Sequence, residues 1–363
     1  MRFFAFLGVF VFHCTPIVAS VLRPGLAPSL VLAATRAGAF GVDLFFTLSA
    51  YLITELISRE REELGRADLH AFYVRRCLRI WPLYYAMLAL FALSMPGLSW
   101  FVLGSYLTFV GNFIGAVALS HGAMAPLWSI SVEEQFYLVW PALARRSTRA
   151  NLLKAGLILW AAALAGRVLL SSANILGLAL WYNSIAHLDS IAAGVILSAA
   201  RLDQLHLRWR GPLIIAGAGL WLIVGWFVPR EFDTTVSAVL LFPLVAPGSM
   251  ALVAGAARSP MLRAPALRYL GRISYGLYLF HMPVLAVCIS HLGPRRFIII
   301  PLGLALTLGL SALSYRYFET PFLRLKSRWQ RVASGPKLAD AAPARDRLFD
   351  SPAPAAANPT FLL

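Results

Sequence analysis

An arginine at position 2 and a histidine at position 13 stand eleven residues apart in MRFFAFLGVFVFHC, a stretch otherwise apolar enough to lie in lipid. On a helix that separation is about 16.5 Å of rise and about 1100° of rotation, close to three full turns, so both side chains share one stripe. Histidine, with a reference pKa of about 6.5, is the side chain best matched to general-base work on a hydroxyl near neutral pH. An arginine at one mouth and a histidine near mid-membrane would suit a long substrate with an anionic head at the surface and a reactive end inside. A blander reading stands beside this one: a histidine bonded to a neighbouring helix, and an arginine that only follows the positive-inside pattern.

Other polar residues interrupt the apolar runs. GAFGVDLFFTLSAYLITEL places Asp43 in a second run, where a lone ionised carboxylate costs about 2.5–3.5 kcal/mol on insertion scales. Such an acid needs a partner, and His13, an arginine or a serine on an adjacent helix could serve. LHAFYVRRCLRIWPLYYA interleaves Arg75, Arg76 and Arg79 with aromatic and aliphatic residues, the pattern of a basic segment at a membrane interface. It reads either as an anchor to anionic headgroups or as a site for a phosphorylated ligand, since guanidinium forks match phosphate oxygens in pairs. PLWSISVEEQFYLVWP gathers Ser129, Ser131, Glu133, Glu134 and Tyr137. Adjacent carboxylates point about 100° apart on a helix, so Glu133 and Glu134 should have different tasks, one lining a cavity and one anchoring structure. No Gly-x-Ser-x-Gly elbow accompanies the serines, which weighs against acyl-carrying nucleophiles. Asp189 in HLDSIAAGVIL, His281 in LGRISYGLYLFHMPVL, and Arg316 with Glu319 in SYRYFETPFLRL complete the set. Singly each reads as a buried helix-to-helix bond; together they imply a polar interior.

These residues need a membrane-embedded scaffold. Of 363 residues, 59% are hydrophobic and 13% charged, with a mean hydropathy of +0.72, values that exclude an ordinary soluble domain. Apolar segments fall near residues 3–20, 38–57, 82–97, 99–118, 127–144, 152–171, 174–199, 211–228, 235–256, 273–291 and 297–318. Most approach the roughly 20 residues that cross about 30 Å of hydrocarbon. The net charge of +16 would suggest nucleic acid in a soluble protein. Here the arginines cluster in the connections 58–80, 145–154, 201–210 and 257–272 and after 323, so these are expected to be cytoplasmic and no nucleic-acid partner is expected. Cys14, Cys77 and Cys288 are scattered singly, so neither a disulfide nor a metal site is expected. The first run has the basic start and the IVAS of a signal peptide, but His13 and Pro16 favour an uncleaved span.

Three apolar segments separate the basic connections 58–80 and 145–154, yet both can face one side only if the chain crosses an even number of times. HGAMAPLWSISVEEQFYLVWP is the one expected not to span, because Pro126, Ser129, Ser131, Glu133, Glu134 and Gln135 would be costly against lipid. The expectation is all-α: a polytopic membrane bundle of about ten transmembrane helices plus a re-entrant or interfacial segment. It forms one domain over 1–325 with both termini cytoplasmic, followed by a disordered, Ala/Pro-rich tail over 326–363.

The sequence resembles the membrane-bound acyltransferase-3 family. The Arg-x10-His pattern from Arg2 to His13, GVDLFFTLSAYLIT, FYVRRCLRIWPLYY, PLWSISVEEQFYLVWP, LGRISYGLYLFHMP and YRYFETPF carry the resemblance, in order, over about residues 1–325. It implies a bacterial inner-membrane enzyme moving an acyl group, most often acetyl from acetyl-CoA, to a hydroxyl of a carbohydrate or lipid-linked glycan such as a surface polysaccharide, lipopolysaccharide or exopolysaccharide. Its partners would be that acceptor and membrane lipids, and no metal is implied. By resemblance His13 is the catalytic base, Arg2 its companion, Arg75 and Arg76 the functional arginines, and Glu133 part of the functional acidic motif. The donor phosphates are then expected near Arg75, Arg76 and Arg79, with Asp43 orienting His13. Two departures stand out. Arg2 directly follows Met1, where relatives usually have several residues first, which leaves open a start upstream. No periplasmic hydrolase-like domain follows the last run, the pattern of the short, stand-alone form. A proton-coupled transporter, which also needs intramembrane Asp, Glu and His, is the competing class.

Overall fold

Lipid offers backbone amides no partner, so apolar runs of this kind must satisfy themselves. The computed structural model describes residues 1–329 except 96, 115–121, 229–231, 258 and 294–295; the tail expected to be disordered lies, from 330 onward, outside the described residues. The described residues form helices and short turns, with no strand among them.

The first helix, α1 (Arg2–His13), ends ahead of a short turn at Thr15–Ala19. Next, α2 (Leu26–Ala37) passes through a tight turn at Gly38–Phe40 into α3 (Gly41–Leu64), which stops at Gly65 with a left-handed φ of 72°. Asp68 caps α4 (Leu69–Ser94) by accepting from the Ala71 amide at 2.9 Å. The short α5 (Trp100–Leu107) precedes α6 (Leu127–Ala144), α7 (Arg149–Ser172) and α8 (Leu188–Ala199). The second half holds α9 (Arg210–Phe227), α10 (Val245–Ala256), α11 (Ser274–Leu292) and α12 (Arg296–Ser314). The last runs through a π turn at Tyr315–Glu319 into α13 (Thr320–Ser327).

Among the described residues seven helical stretches are long and apolar enough to cross a membrane, and Arg2–His13 and Ser184–Ala199 are apolar but shorter. The chain is a helical membrane bundle. Hydropathy reads 3–20 and 174–199 as single runs, where the chain turns at Cys14 and again between Trp181 and Ser184.

The region expected to be re-entrant or interfacial, 121–141, supplies α6, which is not among the described stretches long and apolar enough to cross a membrane. Arg61 donates to the Ser147 carbonyl, and Arg149 pairs with Glu55 at 3.2 Å and Glu62 at 2.9 Å. The connections after α3 and after α6 therefore share one end of the bundle, with α4 leading away and α6 returning. Between α4 and α6, α5 has eight residues, about 12 Å of rise, too short to cross on its own. α6 is a continuous helix of 18 residues. Its polar side chains turn inward, where Gln135 donates to the Phe109 carbonyl and to Asn112 Oδ1, both at 2.8 Å. Tyr84 of α4 donates to the Tyr106 carbonyl at 2.7 Å. Polar residues that look unfit for lipid thus satisfy the irregular backbone beside them.

Two close approaches set the register at the centre. A Cβ at Gly41 would lie 2.3 Å from the Ala5 carbonyl oxygen, so α1 seats directly on the start of α3. A Cβ at Gly194 would lie 2.2 Å from the Thr47 carbonyl oxygen, and α8 is buried from Asp189 to Ala199 against α3 and α7. Overpacking costs about 1–3 kcal/mol, a factor of about five or more in the folded population. Gly41→Leu should therefore lose most of the monodisperse peak in detergent size-exclusion, while Gly219→Leu, in open space, keeps it. A normal peak for Gly41→Leu would contradict the seating of α1.

Candidate active site

Arg76 and Arg79 are three residues apart and share one face of α4, whereas Arg75 is turned away by about 100°. The shared face meets α1, α3, α6 and α11 around a cavity lined by Arg2, Phe45, Phe46, Ser49, Arg76, Arg79, Ser129, Glu133, Tyr275 and Tyr278, among others. Glu133 is held in place there. Ser49 donates to its Oε1 at 2.9 Å and Tyr137 to its Oε2 at 2.6 Å. Arg76 Nη2 lies 3.7 Å from the same carboxylate, and its guanidinium sits 3.5 Å from the Tyr137 ring centroid. Three guanidinium groups thus face one carboxylate, an excess of positive charge in a confined space that favours an anion.

A second cavity is lined by His13 and Phe12 of α1, Val42 of α3, and Pro126, Trp128, Trp181, Tyr182 and Tyr278, with four further apolar residues. Tyr278 borders both cavities. Its hydroxyl is 2.6 Å from Ser129 Oγ, and Ser129 Oγ is 3.1 Å from the Pro126 carbonyl. A carbonyl only accepts, so Ser129 donates to Pro126 and accepts from Tyr278. The His13 ring lies 5.3 Å from that of His281. His281 Nδ1 is 2.6 Å from the Tyr278 carbonyl and must carry the proton, which leaves its buried Nε2 bare and without a partner.

Asp43 does not orient His13. Its Oδ1 takes His187 Nδ1 at 2.8 Å and the Ser190 hydroxyl at 2.7 Å, while His187 Nε2 donates to the Trp181 carbonyl at 2.6 Å. The partner lies on the other side of α3 from α1, because the turn Ser184–His187 and the start of α8 present His187 and Ser190 to Asp43. Beside this pair, Asp189 Oδ2 is 2.6 Å from Arg167, which also donates to the Ala186 carbonyl. All four charged or chargeable groups are buried. They join α3, α7 and α8 behind the wall that carries Trp128 and Trp181, whose rings lie 5.2 Å and 5.1 Å from His187.

The remaining candidates are placed as follows. Arg75 is outside the cavity lining, ion-paired with Glu60 at 2.7 Å and donating to the Trp329 carbonyl at 2.6 Å. Arg79, on the cavity, donates to the Arg272 carbonyl at 2.9 Å. Ser131 bonds back to the Leu127 carbonyl at 3.2 Å, and Glu134 accepts from Trp81 at 3.0 Å, pointing away from Glu133. Glu319, buried in the π turn, lies 3.4 Å from the Ser314 hydroxyl. Among the described residues no cluster of His, Cys, Asp and Glu could hold a metal ion. Arg167, His187, Ser49 and Tyr278 escaped the sequence reading. Arg167 carried a signal, since it interrupts an apolar run as Asp43 does.

Fold and site together define a helical membrane protein whose interior pairs an anion-attracting cavity with a histidine-bearing one. The acyltransferase domain model of the acyltransferase-3 family matches residues 1–316, and the chain belongs to that family. A Staphylococcus aureus (strain COL) protein provisionally named an O-acetyltransferase is 25% identical over 329 residues, covering 78% of this chain and 52% of the relative. Nodulation protein 10 of Rhizobium leguminosarum bv. viciae is 28% identical over 321 residues, covering 79% and 83%. Peptidoglycan O-acetyltransferase OatA of Listeria monocytogenes serovar 1/2a is 26% identical over 328 residues, covering 79% and 51%. The chain thus spans about half the length of the Staphylococcus and Listeria relatives. No solved structure matches.

Breaking a buried pair strands the other charge at a cost of about 3–5 kcal/mol. Arg167→Leu should accordingly lower the melting temperature of the detergent-purified protein markedly, and Arg167→Leu combined with Asp189→Leu should recover most of the loss. A wild-type melting temperature for the single variant would contradict the pairing.

Proposed function

We propose that this chain is a membrane O-acyltransferase that moves acetyl from acetyl-CoA to a hydroxyl of a carbohydrate acceptor, in a bacterial inner membrane. The observation that carries this reading is the adjacency of the two cavities: Arg2, Arg76 and Arg79 line one, His13 lines the other, and both touch Tyr278. The positive-inside pattern puts the arginine mouth and both termini on the cytoplasmic side, where the acyl donor is encountered. Its phosphates suit the guanidinium groups, and the excess positive charge left by the single carboxylate of Glu133 suits a polyanionic ligand.

The reacting end then extends toward His13. No hydrogen bond ties the His13 imidazole to another described residue, so it is available to take the proton of an acceptor hydroxyl. Trp128, Trp181 and Tyr182 wall that second cavity and give a sugar ring flat apolar faces to lie on. The hydroxyl oxygen attacks the thioester carbonyl carbon, the carbon–sulfur bond breaks, and the leaving thiolate takes the proton back from His13. The products are the ester and free CoA. Arg2 and Arg76 act on the donor, Glu133 fixes Arg76, and Asp43 acts only through the His187 block that backs the aromatic wall.

Membranes carrying the wild type should incorporate label from acetyl-labelled acetyl-CoA into the glycan fraction. His13→Ala, inserted at the same level, should lose incorporation by about 10²-fold or more. Equal incorporation in the two would overturn the role of His13. Uptake driven by a proton gradient, with no CoA released, would instead favour a transporter.

A further inference from the structure

The thioester carbonyl has to lie where the arginine-lined cavity meets His13, and one side chain stands on that boundary. Tyr278 lines both cavities. Its ring lies 5.5 Å from Phe45 and 5.6 Å from His281, and its backbone carbonyl accepts from His281 at 2.6 Å, so these two neighbours hold it in place. The hydroxyl is the mobile part. Its proton is spent on Ser129 Oγ at 2.6 Å, and that oxygen already donates to the Pro126 carbonyl at 3.1 Å. Ser129 therefore loses nothing essential if the phenol turns away. The other donors that line the first cavity are engaged elsewhere or distant: Arg76 by Glu133 and Tyr137, Ser49 by Glu133, Arg79, Ser274 and Tyr275 by the carbonyls of Arg272, Gly271 and Ile80, while Arg2 stands three helical turns from His13. The bare Nε2 of His281 cannot donate.

We propose that Tyr278 is a catalytic residue, donating the hydrogen bond that stabilises the oxyanion formed on the thioester carbonyl. The assignment rests on the acyl-transfer reading above. As the acceptor oxygen bonds to the carbonyl carbon and His13 takes its proton, the carbonyl π pair moves onto oxygen. The Tyr278 hydroxyl swings from Ser129 to that oxygen. When the oxyanion collapses, the carbon–sulfur bond breaks, the thiolate leaves and is protonated by the His13 imidazolium, and Tyr278 returns to Ser129. A donor that meets charge only in the transition state raises kcat and leaves substrate binding nearly untouched.

The test is acetyl transfer by full-length protein in membranes, with acetyl-CoA varied at saturating acceptor. Tyr278→Phe should lower kcat by about 10²–10³-fold while KM for acetyl-CoA stays within about threefold. An unchanged kcat, or a raised KM with kcat intact, would overturn the assignment and leave His13 and the acyl-transfer reading standing. A wild type that transfers no acetyl would overturn that reading and this assignment with it. Should Tyr278→Phe fail to accumulate, 3,5-difluorotyrosine at position 278 keeps the shape but ionises at lower pH. Only the protonated phenol donates, and the groups around it are Ser129, His13, His281, Tyr182 and the Arg76–Glu133 pair. The alkaline limb of kcat should move to lower pH in that protein, with the acid limb unmoved. Superimposable profiles would overturn the proposal.

Discussion

A polar atom inside this bundle has no water to fall back on, and most of the architecture follows from where each one finds its partner. Asp43 is answered by His187 and Ser190, Asp189 by Arg167, and the interrupted backbone around Phe109 by Gln135. Each answer ties two helices whose apolar surfaces alone would slide past one another in lipid, since hydrocarbon chains pack against leucine as readily as leucine does. These bonds fix the relative depth of α3, α6, α7 and α8. The close approach at Gly41 then places α1, and with it both Arg2 and His13, against that frame.

Against this paired framework, which itself leaves single atoms such as Asp43 Oδ2 and Arg167 Nη1 without a hydrogen bond, the groups that line the two cavities stand out. Arg2, Arg76 and Arg79 share a cavity with one carboxylate, and His13 faces a second cavity without a hydrogen bond to any described residue. A bundle selected for stability alone would not retain such an imbalance, because unpaired charge at membrane depth is expensive. The site is therefore held open by neighbours that are fully engaged. Glu133 is gripped by Ser49 and Tyr137, and the aromatic wall around His13 is backed by the His187 block.

The class of fold and much of the polar interior were legible in the sequence, because both follow from composition along the chain. The direction each polar group faces was not. α6 looked too polar to be a continuous helix, yet its polar residues serve the segment beside it, a fact that depends on which helix is the neighbour. Asp43 seemed a match for His13 because both are titratable and intramembrane, but the rotation of α3 that brings Gly41 to Ala5 turns Asp43 toward α8. Arg75 and Arg76 look equivalent in sequence, and one step of about 100° sends one to Glu60 and the other into the cavity. Tyr278 lies inside the quoted stretch LGRISYGLYLFHMP, but a tyrosine among aromatic residues reads as packing until its two cavities are seen.

The most direct measurement is an electron cryomicroscopy structure of the protein in lipid nanodiscs with acetyl-CoA bound. The account predicts donor phosphates within hydrogen-bonding distance of Arg2, Arg76 and Arg79, and the acetyl carbonyl at Tyr278 on the side facing His13. Phosphates bound elsewhere on the protein, or an acetyl group out of reach of His13, would contradict it.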